Sequence, residues 1–247
     1  MTARIAVLGL GGVGSNVAAN LLGSSQIAEM LLVDFDRVES SNLSRQVIYR
    51  EADVGRLKTE VASERFCSMP SDTTIRILDC QLASQTAIEE VIAGYDLVMA
   101  GIDTPLCEAD QWLNAACFSL GIPYMSMNLL GTAARVGPLF VPGETGCHGC
   151  EEIEARREYP LYDAVVEQLR GVPSPTALLG PACLFAAAAT AIQIEQFLAG
   201  EEPATLGASL TFELPSMQIK REVVPKETEC EICGAVTFDP EMAAADR

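Results

Sequence analysis

The run Gly9-Leu10-Gly11-Gly12-Val13-Gly14 follows four apolar residues, Ile5-Ala6-Val7-Leu8. Gly9 suits a tight turn, Gly11 lets backbone approach a phosphate, and Gly14 lets a helix pack closely on a strand. A helix starting near Gly12 would aim its free N–H groups and positive dipole end at that phosphate. Asp34 ends a second apolar run, Met30-Leu31-Leu32-Val33. It lies about twenty residues beyond the last glycine, where a carboxylate can accept hydrogen bonds from ribose hydroxyls. Asn42, Arg45, Gln46 and Lys58 come next. Hydride transfer has no need of an Arg and a Lys on phosphates. Phosphoryl or nucleotidyl transfer does, because charge develops on phosphate oxygens in its transition state. Taken singly, Arg45 and Lys58 are equally compatible with solvated surface side chains.

A second set of chemical residues lies far downstream. Cys147-His148-Gly149-Cys150 is followed about eighty residues later by Cys230-Glu231-Ile232-Cys233. Two residues between cysteines let both thiolates reach one ion, and two such pairs complete a closed tetrahedral site of four thiolates. Four soft ligands favour Zn²⁺, and with no open position its role is structural. Either pair alone would also fit a redox dithiol. His148, the single histidine, reads as a bystander.

The elements that position these residues alternate. The first strand and its glycine turn lead into a helix over Gly14–Leu22, then a strand over Met30–Val33. Arg37–Arg50 reads as a polar loop with short helical turns, and Gly55–Phe66 as a helix carrying Lys58 near its start. Thr74–Leu78 reads as a strand, Thr86–Ala93 as a helix and Asp96–Ala100 as a strand. Pro105 suits the first turn of a further helix running to about Leu120. This alternation implies a parallel sheet with helices on both faces. Asp103 then falls at a strand's carboxyl end, as an Mg²⁺ or nucleotide-pocket carboxylate or as a helix N-cap. Pro123–Val141 reads as strands around a Gly131 turn that continue the sheet in antiparallel fashion. Residues 151–176 read as a long, partly mobile crossover loop, and Ala182–Ile194 as a buried helix. The expected fold class is α/β: a Rossmann-like, doubly wound, mainly parallel sheet continued by antiparallel strands. Residues 1–247 form one domain, with a nucleotide-binding half over 1–122 and a substrate and zinc half over 123–247. Cys183, where the apolar helix begins, is either a thiol activated by the helix terminus or a small buried side chain.

These pieces together resemble the ThiF/MoeB/HesA family, relatives of ubiquitin-activating enzymes. The matching residues are Gly9 to Gly14, Asp34-Phe35-Asp36, Ser41-Asn42-Leu43-Ser44-Arg45-Gln46, Asp53-Val54-Gly55 with Lys58, Gly101-Ile102-Asp103 and both cysteine pairs. The resemblance spans nearly the whole chain. It implies ATP and Mg²⁺ as cofactors and adenylation of the C-terminal carboxylate of a small carrier protein or peptide. It also implies roles: Lys58 and Arg45 on the phosphates, Asp103 on Mg²⁺, Asp34 on the ribose, the Gly12 segment along the phosphates, and Asn42 and Gln46 as orienting groups. The family counterpart of Arg45 implies a homodimer in which that residue reaches the partner's site. The chain departs from the family at Thr104, where Asn is frequent. It has no cysteine in the crossover region, and it lacks a leading segment bearing a further arginine. Two other readings stand beside this one, an NAD-dependent dehydrogenase and a non-catalytic binding partner with the same fold.

Bulk properties narrow the partners. The formal net charge of −18 argues against nucleic acid and anionic membrane. The first strand begins within a few residues of the N-terminus, leaving no room for a signal peptide. Nine cysteines, four in pairs and five scattered through apolar segments, suit a metal site in the reducing cytoplasm.

Overall fold

The computed structural model describes residues 2–170 and 178–234. Its sheet has eight strands in the order β3-β2-β1-β4-β5-β6-β7-β8. Strands β1 (Ala3–Leu8), β2 (Ile27–Val33), β3 (Thr74–Leu78), β4 (Leu97–Ala100) and β5 (Tyr124–Leu130) are parallel. β6 (Ala133–Phe140), β7 (Ala208–Glu213) and β8 (Gln218–Val223) add antiparallel partners, so one sheet runs through both halves of the chain. Ile5 to Leu8 are all buried, as expected of a parallel strand covered on both faces.

The chain winds outward from β1 to β3 and then crosses back to β4 on the other side of β1. That reversal opens a crevice above the carboxyl ends of β1 and β4, where open α/β sheets bind ligands. On one face, α1 (Gly14–Leu21) and α7 (Gly180–Leu198) pack against each other and on the sheet. On the other face, α3 (Gln85–Ile92) and α4 (Glu108–Leu120) share a second core with the four paired cysteines. By length and composition α7 is the one described helix apolar enough to cross a membrane. Its Ala182, Cys183, Ala186, Ala187, Thr190, Ala191 and Ile194 are buried instead, all but Thr190 in the core that α7 shares with α1.

Three boundaries differ from expectation. Helix α2 (Lys58–Cys67) starts after Gly55, whose φ of +89° interrupts the helical path. Pro105 occupies a cis peptide in a loop and not the first helical turn; Cys107, with φ 71°, breaks helical continuation until Glu108. Within the expected crossover loop over 151–176, residues up to 169 form α5 (His148–Glu158) and α6 (Tyr162–Leu169), while 171–176 lie outside the described residues. Charge pairs hold these helices, among them Arg156–Asp163 at 2.8 Å and Arg157–Glu227 at 2.6 Å. With Cys150 as its single buried residue, α5 shows no apolar stripe for periodicity to detect.

The turn above β1 depends on three glycines. A Cβ on Gly14 would lie 1.9 Å from the Gly9 carbonyl oxygen, and one on Gly9 would lie 2.3 Å from that of Gly101. Backbone oxygens cannot yield to such contacts without moving the strands. Gly14→Ala is therefore expected to destabilise the fold by about 3 kcal/mol or more, measured by urea unfolding. A loss under about 1 kcal/mol would show that the turn relaxes.

Candidate active site

The glycine turn crosses the carboxyl ends of β1 and β4 and feeds α1. Gly9 takes φ +92°, which its lack of a side chain permits. Around Gly11 a Cβ would meet nothing within 4 Å, so the surface there is open for a ligand. Gly12 is lined by Cys183 Sγ at 3.1 Å and by the Arg45 stem at 3.4 Å from its would-be Cβ.

Two carboxylates follow β2, and they are not equivalent. Asp34 is 9% exposed. Its Oδ2 accepts the Leu10 N–H at 2.6 Å and its Oδ1 accepts the Asp36 N–H at 2.8 Å. These bonds turn Asp34 toward its own backbone, where it braces the glycine turn. The side chain of Asp36 is 50% exposed and accepts from Lys58 Nζ at 2.7 Å. Asp36 is the more exposed of the two carboxylates that follow β2. Lys58 is 4% exposed at the first position of α2, with Asp34 3.9 Å away. Paired with both carboxylates, the Lys58 side chain is held in a fixed position.

The loop from Ser41 to Gln46 wraps over this turn. Asn42 Oδ1 accepts the Glu39 N–H at 3.2 Å, so this side chain shapes the loop. The Asn42 carbonyl accepts the Gln46 N–H at 3.0 Å. Gln46 is 2% exposed, and its Oε1 is buried without a hydrogen-bond partner among the described residues. Tyr49 Oη donates to the Leu10 carbonyl at 3.1 Å, tying the loop's end to the turn, and burial pushes its phenol far above the usual range. Arg45 donates through Nη1 to the Ser41 carbonyl at 2.9 Å and lies with its stem on Gly12 of its own chain. Its aliphatic stem is thus buried against the glycine turn of its own chain. Asn16, missed in the sequence, donates through Nδ2 to the carbonyls of Gly12 at 2.6 Å and Arg45 at 3.1 Å.

Asp103 follows β4 at the same end of the sheet and is exposed, accepting from Thr104 Oγ1 at 3.2 Å. It does not cap α4, whose N-cap position is Cys107. Cys183 is buried beside Gly12; burial pushes its thiol up, and the Arg45 charge pulls the other way.

The sulfur atoms of Cys147, Cys150, Cys230 and Cys233 all lie within 4.8 Å of one another, and all four residues are buried. Sγ separations are 3.4 Å for Cys147–Cys230, 3.2 Å for Cys150–Cys233 and 4.0 Å for Cys147–Cys150. Zn–S bonds of about 2.3 Å in a tetrahedron separate sulfurs by about 3.8 Å, so this cluster could hold a zinc ion. Burial pushes the Cys147 thiol up to about 12, a cost that a bound cation would offset by favouring thiolates. Asn114 supports the cluster: its side chain hydrogen-bonds Cys147, and its Oδ1 accepts the His148 N–H at 3.1 Å and Tyr124 Oη at 3.0 Å. His148 Nδ1 faces Glu151 at 3.3 Å. The cluster joins the start of α5 to the segment after β8.

A family model described as the ThiF family matches residues 1–233. The sulfur carrier protein ThiS adenylyltransferase of Escherichia coli K12 is 27% identical over 241 residues, 97% of this chain and 89% of that protein. The solved structure of E. coli MccB with ATP matches with a TM-score of 0.79 at 28% identity, covering 94% of this chain and 67% of MccB. MccB in complex with N-formylated MccA matches at 0.82 and 28% identity over the same shares.

Two outcomes follow from this geometry. Elemental analysis is expected to find one zinc per chain, and Cys230→Ser to lower the thermal midpoint because metal binding is coupled to folding. Purified protein without stoichiometric metal would refute this. Gly11→Ala, with open space at its Cβ, is expected to leave stability within about 0.5 kcal/mol while weakening ATP binding about tenfold or more. Unchanged ATP affinity in a titration would mean that no phosphate approaches Gly11.

Proposed function

This chain belongs to the ThiF family, and we propose that it is an adenylyltransferase acting on a C-terminal carboxylate of a small carrier protein or peptide. The observation that carries this reading is the buried cationic grip: Lys58 and Arg45 around a glycine turn whose Gly11 faces open space. The substrate carboxylate is ionised at neutral pH, so it attacks the α-phosphorus of ATP without a general base. A new P–O bond forms, the bond from the α-phosphorus to the bridging oxygen breaks, and pyrophosphate leaves. Catalysis rests on positioning and charge neutralisation. In this reading Lys58 and Arg45 neutralise phosphate oxygens, Asp36 beside Lys58 takes the ribose hydroxyls, and Asp34, Asn42 and Gln46 hold the frame. Asp103 would help to hold Mg²⁺, which would add charge neutralisation at the phosphates.

The named relatives act on a sulfur carrier protein or are complexed with MccA, which supports the substrate class. The dehydrogenase alternative gains no support: the single histidine lies beside the cysteine cluster, away from the glycine turn. A single adenylation domain over 1–247, a homodimer and a cytoplasmic setting are part of the proposal. Leu184 and Ile192 on α7 and Ile219 and Val223 on β8 are exposed apolar side chains open to a second copy.

Pyrophosphate exchange into ATP, run with candidate carriers and peptides, tests the reading and separates it from a non-catalytic family member. Lys58→Ala and Asp103→Ala are each expected to cut exchange about a hundredfold or more; unchanged exchange in either would contradict its role. Because Arg45 lies against its own chain's Gly12, mixing Arg45→Ala with Asp103→Ala is expected to restore no activity. Recovery to about half per mixed dimer would place Arg45 in a shared site.

A further inference from the structure

We infer that Asn16 is a positioning residue for the nucleotide phosphates, because its side-chain amide locks the glycine turn and the Arg45 backbone into one fixed relation. The identity of the ligand rests on the adenylation reading above. Asn16 lies on the first turn of α1 and is 2% exposed. An amide group carries two N–H donors, and Nδ2 reaches two acceptors: the Gly12 carbonyl at 2.6 Å and the Arg45 carbonyl at 3.1 Å.

Each bond fixes more than an oxygen. A peptide unit is planar, so holding the Gly12 carbonyl also sets the direction of the Val13 N–H on the opposite side of the same plane. That N–H heads α1, among the donors available to an anion. Holding the Arg45 carbonyl likewise fixes the Gln46 N–H, which donates to the Asn42 carbonyl at 3.0 Å. The Arg45 side chain therefore departs from an anchored backbone, runs over Gly12 and ends on the Ser41 carbonyl. Helix α7 closes the arrangement from behind: a Cβ on Gly180 would lie 2.4 Å from the Ser44 carbonyl oxygen. The loop thus sits between α7 and Asn16, and Asn16 registers it against the turn at Arg45, as Tyr49 does at its end. Its removal leaves two buried carbonyls without this donor, and they can regain partners only by shifting the turn or the loop.

A purely structural residue would affect all ligands alike, whereas a phosphate-positioning residue affects those that carry phosphates. The test is calorimetric titration of the full chain with ATP and with adenosine, for wild type, Asn16→Ala and Asn16→Ser. Asn16→Ala is expected to raise the Kd for ATP about tenfold or more and to leave the Kd for adenosine within about twofold. Asn16→Ser retains a hydroxyl that can bond the Gly12 carbonyl four residues back but is too short for the Arg45 carbonyl, so an intermediate loss is expected. It also carries the test if Asn16→Ala does not fold. Equal weakening of both ligands, or unchanged ATP affinity, would overturn the inference. Wild type that binds ATP but exchanges no pyrophosphate would sink the adenylation reading alone, with the ATP-to-adenosine comparison still deciding on Asn16. Wild type that binds no ATP would sink both.

Discussion

The structure depends on backbone meeting backbone above β1. Gly9, Gly14 and Gly101 approach so closely that none of them has room for a Cβ, and this closeness seats the N-terminus of α1 over the sheet. Leu10, in the middle of the turn, is then held from two sides. Its N–H donates to Asp34 and its carbonyl accepts from Tyr49, while its side chain is fully buried. The residue that follows β2 and the loop that carries Arg45 are thus anchored on the same peptide units. The N–H groups at the head of α1, the carboxylates after β2 and the two cations inherit their positions from that anchor.

Charge explains why the cations are buried. A chain with a net charge of −18 repels a polyphosphate at long range, so its attraction has to be local and focused. Lys58 and Arg45 are each less than one-tenth exposed, and in a low-dielectric setting their charges act more strongly than they would in water. Lys58 sits between Asp34 and Asp36, which pins its side chain. At the antiparallel end the four cysteines perform a different task. They close the far end of the second core by joining α5 to the chain after β8.

Local signals were legible in the sequence. The glycine spacing, the apolar runs of β1, β2 and β4 and the two cysteine pairs each state a requirement within a few residues, and the fold meets them. What escaped depended on direction or on distant partners. Asp34 and Asp36 look alike in sequence; only the folded chain shows that one braces the backbone of Leu10 and Asp36 while the other is half-exposed and pairs with Lys58. Asn16 reads as an ordinary helix residue until the loop near Arg45 is folded over it. Helix α5 was hidden because it buries a single residue and carries no apolar stripe. The burial of the Arg45 stem against Gly12 was not legible either, because a long polar side chain in a polar loop gives no sign of it.

The central claim is that a carboxylate oxygen of the substrate becomes bonded to the α-phosphorus of ATP. The most direct measurement uses a carrier or peptide whose C-terminal carboxylate is labelled with ¹⁸O, followed by mass spectrometry of the nucleotide released when the acyl-adenylate is captured by an amine or thiol. The account predicts AMP carrying one ¹⁸O atom, since capture at the acyl carbon leaves the bridging oxygen on phosphorus. Unlabelled AMP, or ADP as the nucleotide product, would contradict it.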